Sequence, residues 1–281
     1  MTKNNMIPKK SLGQNFLINE EIAENIADSA DLSGRDNVLE IGPGKGILTK
    51  YLAQKAENVL ALEIDFNLAK KLDGENYKNT KIIKGDILKI NLPKLIEENH
   101  FKNYKVVANL PYYITSKIIR LFLETKYPPS EMILMVQKEV GERIIALDRK
   151  ESILSISVKF YADPEILFFV SRKNFDPAPE VDSAVIKITR KKKIPDIYPV
   201  KSRGAGSRQS GTFNRVKFFS LVRAGFSSKR KTLANNLSAS FSIPKVELSK
   251  ELKKTNLEPG VRAERLEVED WVRLYNIFNS W

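Results

Sequence analysis

The sequence predicts an α/β fold in which a seven-stranded, mostly parallel sheet is followed by a small α-helical C-terminal domain. The first observation is that short β-branched runs alternate with helical patterns from Asp36 onward, which is typical of a parallel sheet. The second is a change of pattern beyond residue 213, where apolar residues recur at helical spacing. The third is size, because 281 residues with 42% hydrophobic content suffice for one medium domain and one small domain.

Seven apolar runs are the predicted strands of the first domain, which we expect to span residues 1–190 with an N-terminal arm at residues 1–19. The runs are Asn37–Ile41, Asn58–Glu63, Lys81–Lys84, Lys105–Ala108, Met132–Val136, Ile166–Val170 and Ala184–Thr189. The segments between the first runs have helical patterns, so these strands are expected to pair in parallel.

Two segments follow the predicted sheet. Residues 191–213 are rich in Lys, Gly, Ser and Pro, which is typical of a basic linker or a long loop. Residues 214–281 form the predicted helical domain. Its apolar positions at helical spacing are Phe218, Leu221, Val222, Phe226, Trp271, Leu274, Tyr275 and Phe278. We interpret these positions as core, not as functional residues.

The chain has no cysteine and one histidine. Disulfides, thiolate metal sites and cysteine nucleophiles are therefore excluded, and a reducing cytoplasm fits this composition. His100 lies in a polar run with no partner for a metal site, so we interpret it as a surface loop residue and expect no metal. The first ten residues are basic and polar, which predicts neither a secretory signal nor a membrane anchor. We expect a soluble cytoplasmic protein.

Positive charge is concentrated in one segment. Residues 190–232 contain thirteen Lys or Arg and one acid, so they carry +12 of the chain's net charge of +13. A solvated surface is the ordinary explanation for a run of charge, but this concentration favours a polyanionic partner. Gly, Ser and Pro interrupt the segment, which disfavours the long amphipathic helix that a membrane surface would bind.

A glycine-rich turn follows the first predicted strand, where Gly42, Gly44 and Gly46 lead into a predicted helix at residues 47–54. Nucleotides bind at such turns in α/β sheets, because glycines let the backbone approach a ligand closely. Taken alone, the motif also fits NAD, FAD or tight packing. Its G-x-G-x-G spacing disfavours a dinucleotide, and the absence of a G-K-[ST] sequence disfavours a phosphate-binding P-loop.

Four residues recur at nearly equal intervals. Gly42, Glu63, Asp86 and Asn109 are 21, 23 and 23 residues apart, and each lies at the carboxyl end of a predicted strand. Because the carboxyl ends of parallel strands meet at one edge of a sheet, we expect these residues to line one crevice.

The acidic residues of this series suit a nucleoside. Glu63 could accept hydrogen bonds from both ribose hydroxyls, and Asp86 could accept one from an adenine amino group. Ile64 and Ile87 could sandwich the adenine ring. A capping or solvated carboxylate is the alternative for each acid. Because the turn lacks a phosphate-binding sequence, S-adenosylmethionine fits this crevice better than a nucleotide does.

The reacting centre is predicted at Asn109, Leu110, Pro111 and Tyr112, which follow the fourth strand. An exocyclic adenine amine is a poor nucleophile, because its lone pair is delocalised into the ring. The Asn109 amide oxygen and the Leu110 carbonyl could accept hydrogen bonds from the two N–H groups of this amine and so expose its lone pair. Pro111 would stiffen the turn, and Tyr112 would stack on the extruded base. A structural turn with a buried tyrosine is the alternative.

A second aromatic residue is predicted to contact the base. Phe175 lies in Asn174-Phe-Asp-Pro-Ala-Pro-Glu-Val-Asp-Ser183, between two predicted strands. The prolines would hold Phe175 on a rigid loop that could clamp the other face of the adenine. Ordinary packing of Phe175 is the alternative.

These motifs resemble those of the ribosomal RNA adenine dimethyltransferases nearly from end to end. The matching segments are residues 11–17, 40–44, 109–114, 137–139, 142–143 and 175–185. The resemblance implies a Rossmann-like class I methyltransferase domain and an enzyme that uses S-adenosylmethionine. It also implies cofactor contacts at Asn15, Leu17, Gly42, Glu63, Asp86 and Asn109. The target-adenine contacts that the resemblance implies are at Asn109, Leu110, Tyr112 and Phe175.

The resemblance implies dimethylation of N6 on two adjacent adenines, in the hairpin near the 3′ end of small-subunit (16S) ribosomal RNA. The partner would be an immature 30S particle late in small-subunit biogenesis, and the enzyme would be a monomer. Residues 221–227, 229–233, 235–236 and 265–270 resemble the small-subunit enzymes more closely than the large-subunit ones. We expect Arg223, Lys229, Arg230 and Lys231 to bind RNA phosphates.

Three alternatives stay open at this point. One is a large-subunit adenine methyltransferase of the macrolide-resistance type, which shares the same catalytic motifs. Another is an N6-adenine DNA methyltransferase, although Leu110 disfavours the D-P-P-Y or N-P-P-Y sequence of that class. The third is a ribosome-assembly RNA-binding protein without catalysis. The chain also departs from the family pattern at Glu151-Ser152 and in the long basic segment 191–211.

Overall fold

The structure is a computed structural model that describes residues 13–193, 213–258 and 260–278. The predictions for the first ten residues and for most of the basic linker lie outside the described residues. The chain divides into two compact units. Unit 1 comprises residues 1–142 and 163–190, and unit 2 comprises residues 143–162 and 191–281.

Unit 1 contains the predicted seven-stranded sheet. Its order is β4-β3-β2-β5-β6-β9-β7, and a separate two-stranded sheet pairs β1 with β8. The pairs among β2 to β6 are parallel, whereas β9 runs antiparallel to β6. The strands are β1 Phe16–Leu17, β2 Asn37–Ile41, β3 Asn58–Glu63, β4 Thr80–Lys84, β5 Lys105–Asn109, β6 Glu131–Gln137, β7 Ala162–Val170, β8 Phe175–Asp176 and β9 Ser183–Arg190. All seven strands predicted for the large sheet are confirmed.

The helices pack around this sheet or form unit 2. They are α1 Glu20–Ser29, α2 Ile47–Lys55, α3 Phe66–Asp73, α4 Leu92–Glu98, α5 Thr115–Glu124, α6 Lys138–Ile145, α7 Ile153–Tyr161, α8 Arg215–Gly225, α9 Leu233–Phe241, α10 Lys245–Lys254 and α11 Val268–Phe278. Side-chain caps fix several starts: Asn19 accepts from the Ile22 N–H, and Asp65 accepts from the Asn67 N–H. Among the described residues, none of the helices has the length and apolar character needed to cross a membrane.

The strand order creates a crevice beside β2. From β2 the chain moves outward to β3 and β4 and then returns to pair β5 with the opposite edge of β2. This is the point at which an open α/β sheet binds ligands, outside the carboxyl ends of its strands. The central strands are apolar on both faces because helices cover both sides, so Val106, Val107 and Ala108 of β5 are fully buried.

Unit 2 is built on aromatic packing. The Phe160 ring of α7 lies 4.8 Å from the Phe218 ring and 5.7 Å from the Phe213 ring, between centroids. The Tyr275 ring of α11 lies 4.5 Å from the Phe213 ring, between centroids, and the two rings are tilted by 46°. Helix α7 therefore packs with helices α8 and α11, although two strands of the large sheet flank it in the sequence.

The departure at Glu151-Ser152 has a structural role. Ser152 caps α7 in a reciprocal capping box with Ser155. The Glu151 carboxylate forms an ion pair with Lys159 Nζ at 2.5 Å. The Glu151 backbone N–H donates to the Glu264 carbonyl at 2.8 Å. These residues begin α7 and join it to the segment before α11.

Gly225, the last residue of α8, is expected to resist substitution. Alanine normally stabilises a helix by about 1 kcal/mol relative to glycine. At this position, however, a Cβ would lie 2.3 Å from Trp271 Cη2 and 2.9 Å from Leu233 Cδ1. We expect Gly225→Ala to lower the free energy of unfolding by about 1–3 kcal/mol in urea denaturation. The control is Gly34→Ala, because a Cβ there meets nothing within 4 Å. Equal stability of the two variants would contradict this prediction.

Candidate active site

A cleft of about 790 Å³, open to solvent, lies at the carboxyl ends of β2, β3 and β5. Most of the predicted site residues line it together: Asn15, Leu17, Gly42, Gly44, Glu63, Ile64, Asn109, Leu110, Pro111 and Tyr112. The cleft also has walls from Phe16, Glu40 and Lys45, for which the sequence predicted no role. One cavity thus joins the glycine turn after β2 to the Asn109 turn after β5.

The glycine turn has a backbone conformation that favours glycine. Gly42, Gly44 and Gly46 have φ values of 66°, 59° and 84°, all in the left-handed region. A Cβ on Gly44 would also lie 3.1 Å from the Phe16 ring, which covers the turn. The Gly44 N–H donates to Glu63 Oε2 at 3.0 Å. Substitution would therefore strain the turn and shift either Phe16 or Glu63.

Glu63 is a buried carboxylate held by two backbone donors. Besides the Gly44 bond, its Oε1 accepts from the Asp65 N–H at 2.8 Å. Burial raises the pKa of Glu63, while the hydrogen bonds from the Asp65 and Gly44 backbones oppose that rise. Each oxygen makes one of these bonds and has a second lone pair, so the carboxylate can accept from two neighbouring hydroxyls.

Glu40 is a functional candidate that sequence reasoning missed. It belongs to β2, is 1% exposed and lines the cleft beside Glu63. Its Oε2 has no hydrogen-bond partner among the described residues. Burial raises the pKa of Glu40 to about 8, the Thr49 hydroxyl partly offsets this effect, and the Glu63 charge adds to it. An acidic residue inside an otherwise apolar strand is the only sequence signal that could have identified it.

Asn109 ends β5 and is oriented by the N-terminal arm. Its Nδ2 donates to the Asn15 carbonyl at 3.4 Å. Because the NH₂ group is directed to Asn15, Oδ1 is left as an acceptor, and no described residue donates to it. The Leu110 N–H donates to the Met135 carbonyl at 3.1 Å, while no donor to the Leu110 carbonyl is found in the described part of the chain. The turn therefore offers two adjacent oxygen acceptors.

Tyr112 begins the short 3₁₀ turn Tyr112–Ile114 that precedes α5. Its hydroxyl lies 2.8 Å from Ser183 Oγ, at the start of β9. Burial raises the pKa of the Tyr112 phenol, with a smaller opposing effect from the Ser183 hydroxyl. The hydrogen bond fixes the ring at the cleft wall, where one aromatic face can stack on a planar ligand.

Asp86 and Ile87 are not brought into this cleft. Asp86 Oδ1 accepts from the Leu88 N–H at 3.0 Å, and its Oδ2 lies 3.8 Å from Lys89 Nζ. It follows β4, which is two strands away from β2, so the turn directs its carboxylate to its own loop. Ile87 is buried while Ile64 is exposed at the cleft. The sandwich of an adenine ring between Ile64 and Ile87 stays a prediction.

Phe175 does not present an aromatic face to the cleft. It pairs with Leu17 of β1 across the two-stranded sheet and is 3% exposed. Its ring belongs to the apolar core that includes Leu17, Met135 and Val185. In this structure Phe175 therefore packs in the core, which was the alternative to stacking on the base.

One further link joins the cleft to β8. Lys45 Nζ lies 3.9 Å from Asp176 Oδ2 and 4.7 Å from the centroid of the Phe16 ring. The glycine turn, the arm and the loop around Phe175 are therefore connected by one exposed cation. In the described part of the chain, no group of three or more His, Cys, Asp or Glu is arranged to hold a metal ion.

The predicted RNA-binding residues lie in unit 2. Arg223 is exposed near the end of α8 and donates to Ser220 Oγ at 3.2 Å. Lys229, Arg230 and Lys231 are exposed in the turn between α8 and α9, called here the basic turn (residues 226–232). No described acidic side chain forms a salt bridge with these three residues, so their charges are available to a polyanion.

The comparisons with known proteins agree with one another. The family model for ribosomal RNA adenine dimethylase matches residues 5–280. A ribosomal RNA small subunit methyltransferase A from Dehalococcoides mccartyi is 40% identical over 268 residues, covering 95% of this chain and 87% of the relative. The protein of that name from Streptococcus sanguinis is 40% identical over 283 residues, covering 97% and 92%.

Solved structures are similar over almost the whole chain. A dimethyladenosine transferase from Plasmodium falciparum has a TM-score of 0.75 at 28% identity, covering 94% of this chain and 98% of that one. The 23S rRNA methyltransferase ErmE has a TM-score of 0.71 at 24% identity, covering 94% and 100%. At that identity, the second similarity supports the fold alone.

Glu40→Gln is expected to change the pH dependence of stability. Because burial raises the pKa of Glu40 to about 8 from 4.5, the protonated form favours the folded state. This contribution is complete below pH 4.5 and is lost as the pH rises towards about 8. In thermal denaturation between pH 5 and pH 8, the wild-type protein should therefore lose stability relative to Glu40→Gln, by up to about 1.4 kcal/mol per pH unit. Parallel stability curves for the two proteins would show that Glu40 does not titrate with folding.

Proposed function

The chain belongs to the ribosomal RNA adenine dimethylase family, and from this premise we propose how its own residues carry out the reaction. It is an S-adenosylmethionine-dependent methyltransferase that dimethylates N6 of adenine in small-subunit ribosomal RNA. The finer target that we propose is two adjacent adenines in the hairpin near the 3′ end. We further propose that the enzyme acts as a cytoplasmic monomer on an immature 30S particle late in its assembly.

The cleft fits S-adenosylmethionine. Three left-handed glycines in the turn after β2 carry no side chain, so a ligand can approach the backbone closely at these positions. Glu63 has two acceptor oxygens for a ribose diol. The unpaired Glu40 Oε2 adds a buried polar group where the ligand would otherwise meet apolar walls. When bound, the cofactor supplies a methyl group that is already activated on a sulfonium.

We propose that the cleft residues hold this cofactor by distinct contacts. Gly42 and Gly44 provide backbone contact, Glu63 accepts from the ribose, and Asn15, Leu17 and Ile64 cover the ligand. A role for Asp86 at the adenine amino group stays a proposal, as does that of Ile87 against the ring.

The orientation of Asn109 is the observation that carries the catalytic proposal. Its NH₂ group is directed to the Asn15 carbonyl, which leaves Oδ1 as an acceptor beside the Leu110 carbonyl. We propose that these two oxygens accept hydrogen bonds from the N–H groups of the target adenine amine and draw its nitrogen towards tetrahedral geometry. Positioned acceptors of this kind contribute most where they strengthen in the transition state. A strong base is then unnecessary.

The target base needs an aromatic surface once it has left its stack. We propose that Tyr112, held by Ser183 with Pro111 stiffening the turn, stacks on one face of the adenine. A stacking role for Phe175 on the other face requires its ring to leave the core when RNA binds, because it is buried here. We also propose that Arg223 and the basic turn bind RNA phosphates.

The assignment is tested by methyl transfer from labelled S-adenosylmethionine. The substrates are undermethylated small ribosomal subunits and, separately, protein-free large-subunit RNA, and the product is identified by mass spectrometry. We expect N6,N6-dimethyladenosine at two adjacent positions of the small-subunit RNA. Label only in large-subunit RNA would instead indicate a large-subunit adenine methyltransferase of the macrolide-resistance type. Tight binding without label would instead indicate an assembly factor.

Asn109→Ala is expected to lower the turnover number at least about 100-fold, because it removes an acceptor that acts in the transition state. Affinity for small subunits should stay within about twofold of wild type. Asn58→Ala is the matched control, since Asn58 is an exposed asparagine at the opposite end of β3. Unchanged turnover in Asn109→Ala would rule out the proposed role of this residue.

Replacing Lys229, Arg230 and Lys231 with Gln is expected to weaken RNA binding and its salt dependence. Each lost phosphate contact lowers the slope of log affinity against log salt by about 0.7, so the triple variant should lose about 2. The control triple is Lys70, Lys71 and Lys78 to Gln, which removes the same charge from exposed positions of unit 1. Equal slopes for the two triples would indicate that only net charge matters.

A further inference from the structure

We infer that Asn236 is a positioning residue that holds the basic turn in the conformation that binds RNA. The inference deepens the proposed function, because it rests on the basic turn being a phosphate-binding segment. Asn236 lies on α9 and is 2% exposed, so its side chain cannot contact RNA directly. Any contribution to RNA binding must act through the residues that it anchors.

The Asn236 amide joins two carbonyls across the start of the basic turn. Its Nδ2 donates to the Gly225 carbonyl at 2.6 Å and to the Ser228 carbonyl at 3.0 Å. Gly225 ends α8, and Ser228 directly precedes Lys229. One buried side chain therefore satisfies the end of a helix and fixes the first half of the turn.

The second half of the turn is held by one backbone bond and by the cap of α9. The Lys231 N–H donates to the Ser228 carbonyl at 3.2 Å, and the Thr232 side chain caps α9 by accepting from the Asn235 N–H at 3.3 Å. The Ser228 carbonyl therefore accepts from Asn236 of α9 and from Lys231 of the turn. If the Asn236 side chain is removed, Thr232 still caps α9, but the Gly225 and Ser228 carbonyls lose their donor on α9.

This arrangement suits a charged turn. Three adjacent cations repel one another, and without a described acidic partner they favour a spread-out ensemble. Two hydrogen bonds from a buried amide hold the backbone in one conformation. The turn therefore loses its conformational entropy during folding and not during RNA binding. Loss of Asn236 should therefore reduce the number of phosphates contacted at once, as well as the affinity.

Salt-dependent binding separates positioning from a merely structural role. We would measure the affinity of Asn236→Ala for undermethylated small ribosomal subunits at several salt concentrations. A drop of about tenfold near 0.1 M salt, with a slope lower by about one or more, is expected because phosphate contacts are lost. A fall in the fraction of folded protein alone would lower the apparent affinity and leave the slope unchanged, which would overturn the inference.

The matched control is Ser238→Ala on the same helix. Ser238 Oγ donates to the Ile243 carbonyl at 2.6 Å, so this variant also loses a bond from side chain to backbone, but away from the basic turn. We expect its salt slope to equal that of wild type. A slope change of the same size in Ser238→Ala would show that any loosening of α9 produces the effect.

Hydrogen exchange on the free protein tests the anchoring without RNA. The backbone amides of residues 226–231 should exchange faster in Asn236→Ala than in wild type or Ser238→Ala, with unit 1 unchanged. Unaltered exchange in this segment would overturn the inference. If Asn236→Ala does not fold, Asn236→Ser, which keeps a shorter donor, carries the same measurements. If the wild-type protein does not bind small subunits, the proposed function is wrong. Hydrogen exchange still tests whether Asn236 anchors the basic turn.

Discussion

The hydrogen bond from the Gly44 N–H to the Glu63 carboxylate is the interaction on which the site depends. It joins the ends of two parallel strands, β2 and β3, at the edge where the sheet opens. The bond requires the left-handed turn at Gly44, and that turn allows the Phe16 ring to lie against it. A buried carboxylate is costly, so backbone donors that offset the cost also set its orientation. The fold thus sets the position of both Glu63 oxygens before any ligand binds.

The arm and the loop around Phe175 connect the two halves of the cleft. Leu17 pairs with Phe175, while Asn15 accepts from Asn109 through its carbonyl. Lys45 of the glycine turn lies beside Asp176 of the same two-stranded sheet. The two-stranded sheet and the residues beside it are therefore linked to both turns of the cleft, through Asn15 and through Lys45.

The large sheet was predictable because its strands are continuous apolar runs that helices bury on both faces. The cleft residues were predictable because parallel strands place their carboxyl ends together. The pairing of β1 with β8 was not, since two-residue strands have no periodicity. Burial of Phe175 and the lack of a hydrogen-bond partner at Glu40 Oε2 depend on contacts between distant segments. Asn236 lies in a segment that resembles the family, but its anchoring role was not predictable, because a buried amide and an exposed one look the same in a sequence.

The position of α7 has a consequence for synthesis of the chain. Its Phe160 ring packs with Phe218 of α8, which begins more than fifty residues later and follows β7 and β9. Because translation proceeds from the N-terminus, the apolar face of α7 emerges well before its partners do. A polypeptide that stops at residue 190 lacks the Phe218 ring against which Phe160 packs. The C-terminal helices therefore complete the packing of a helix that the ribosome makes earlier.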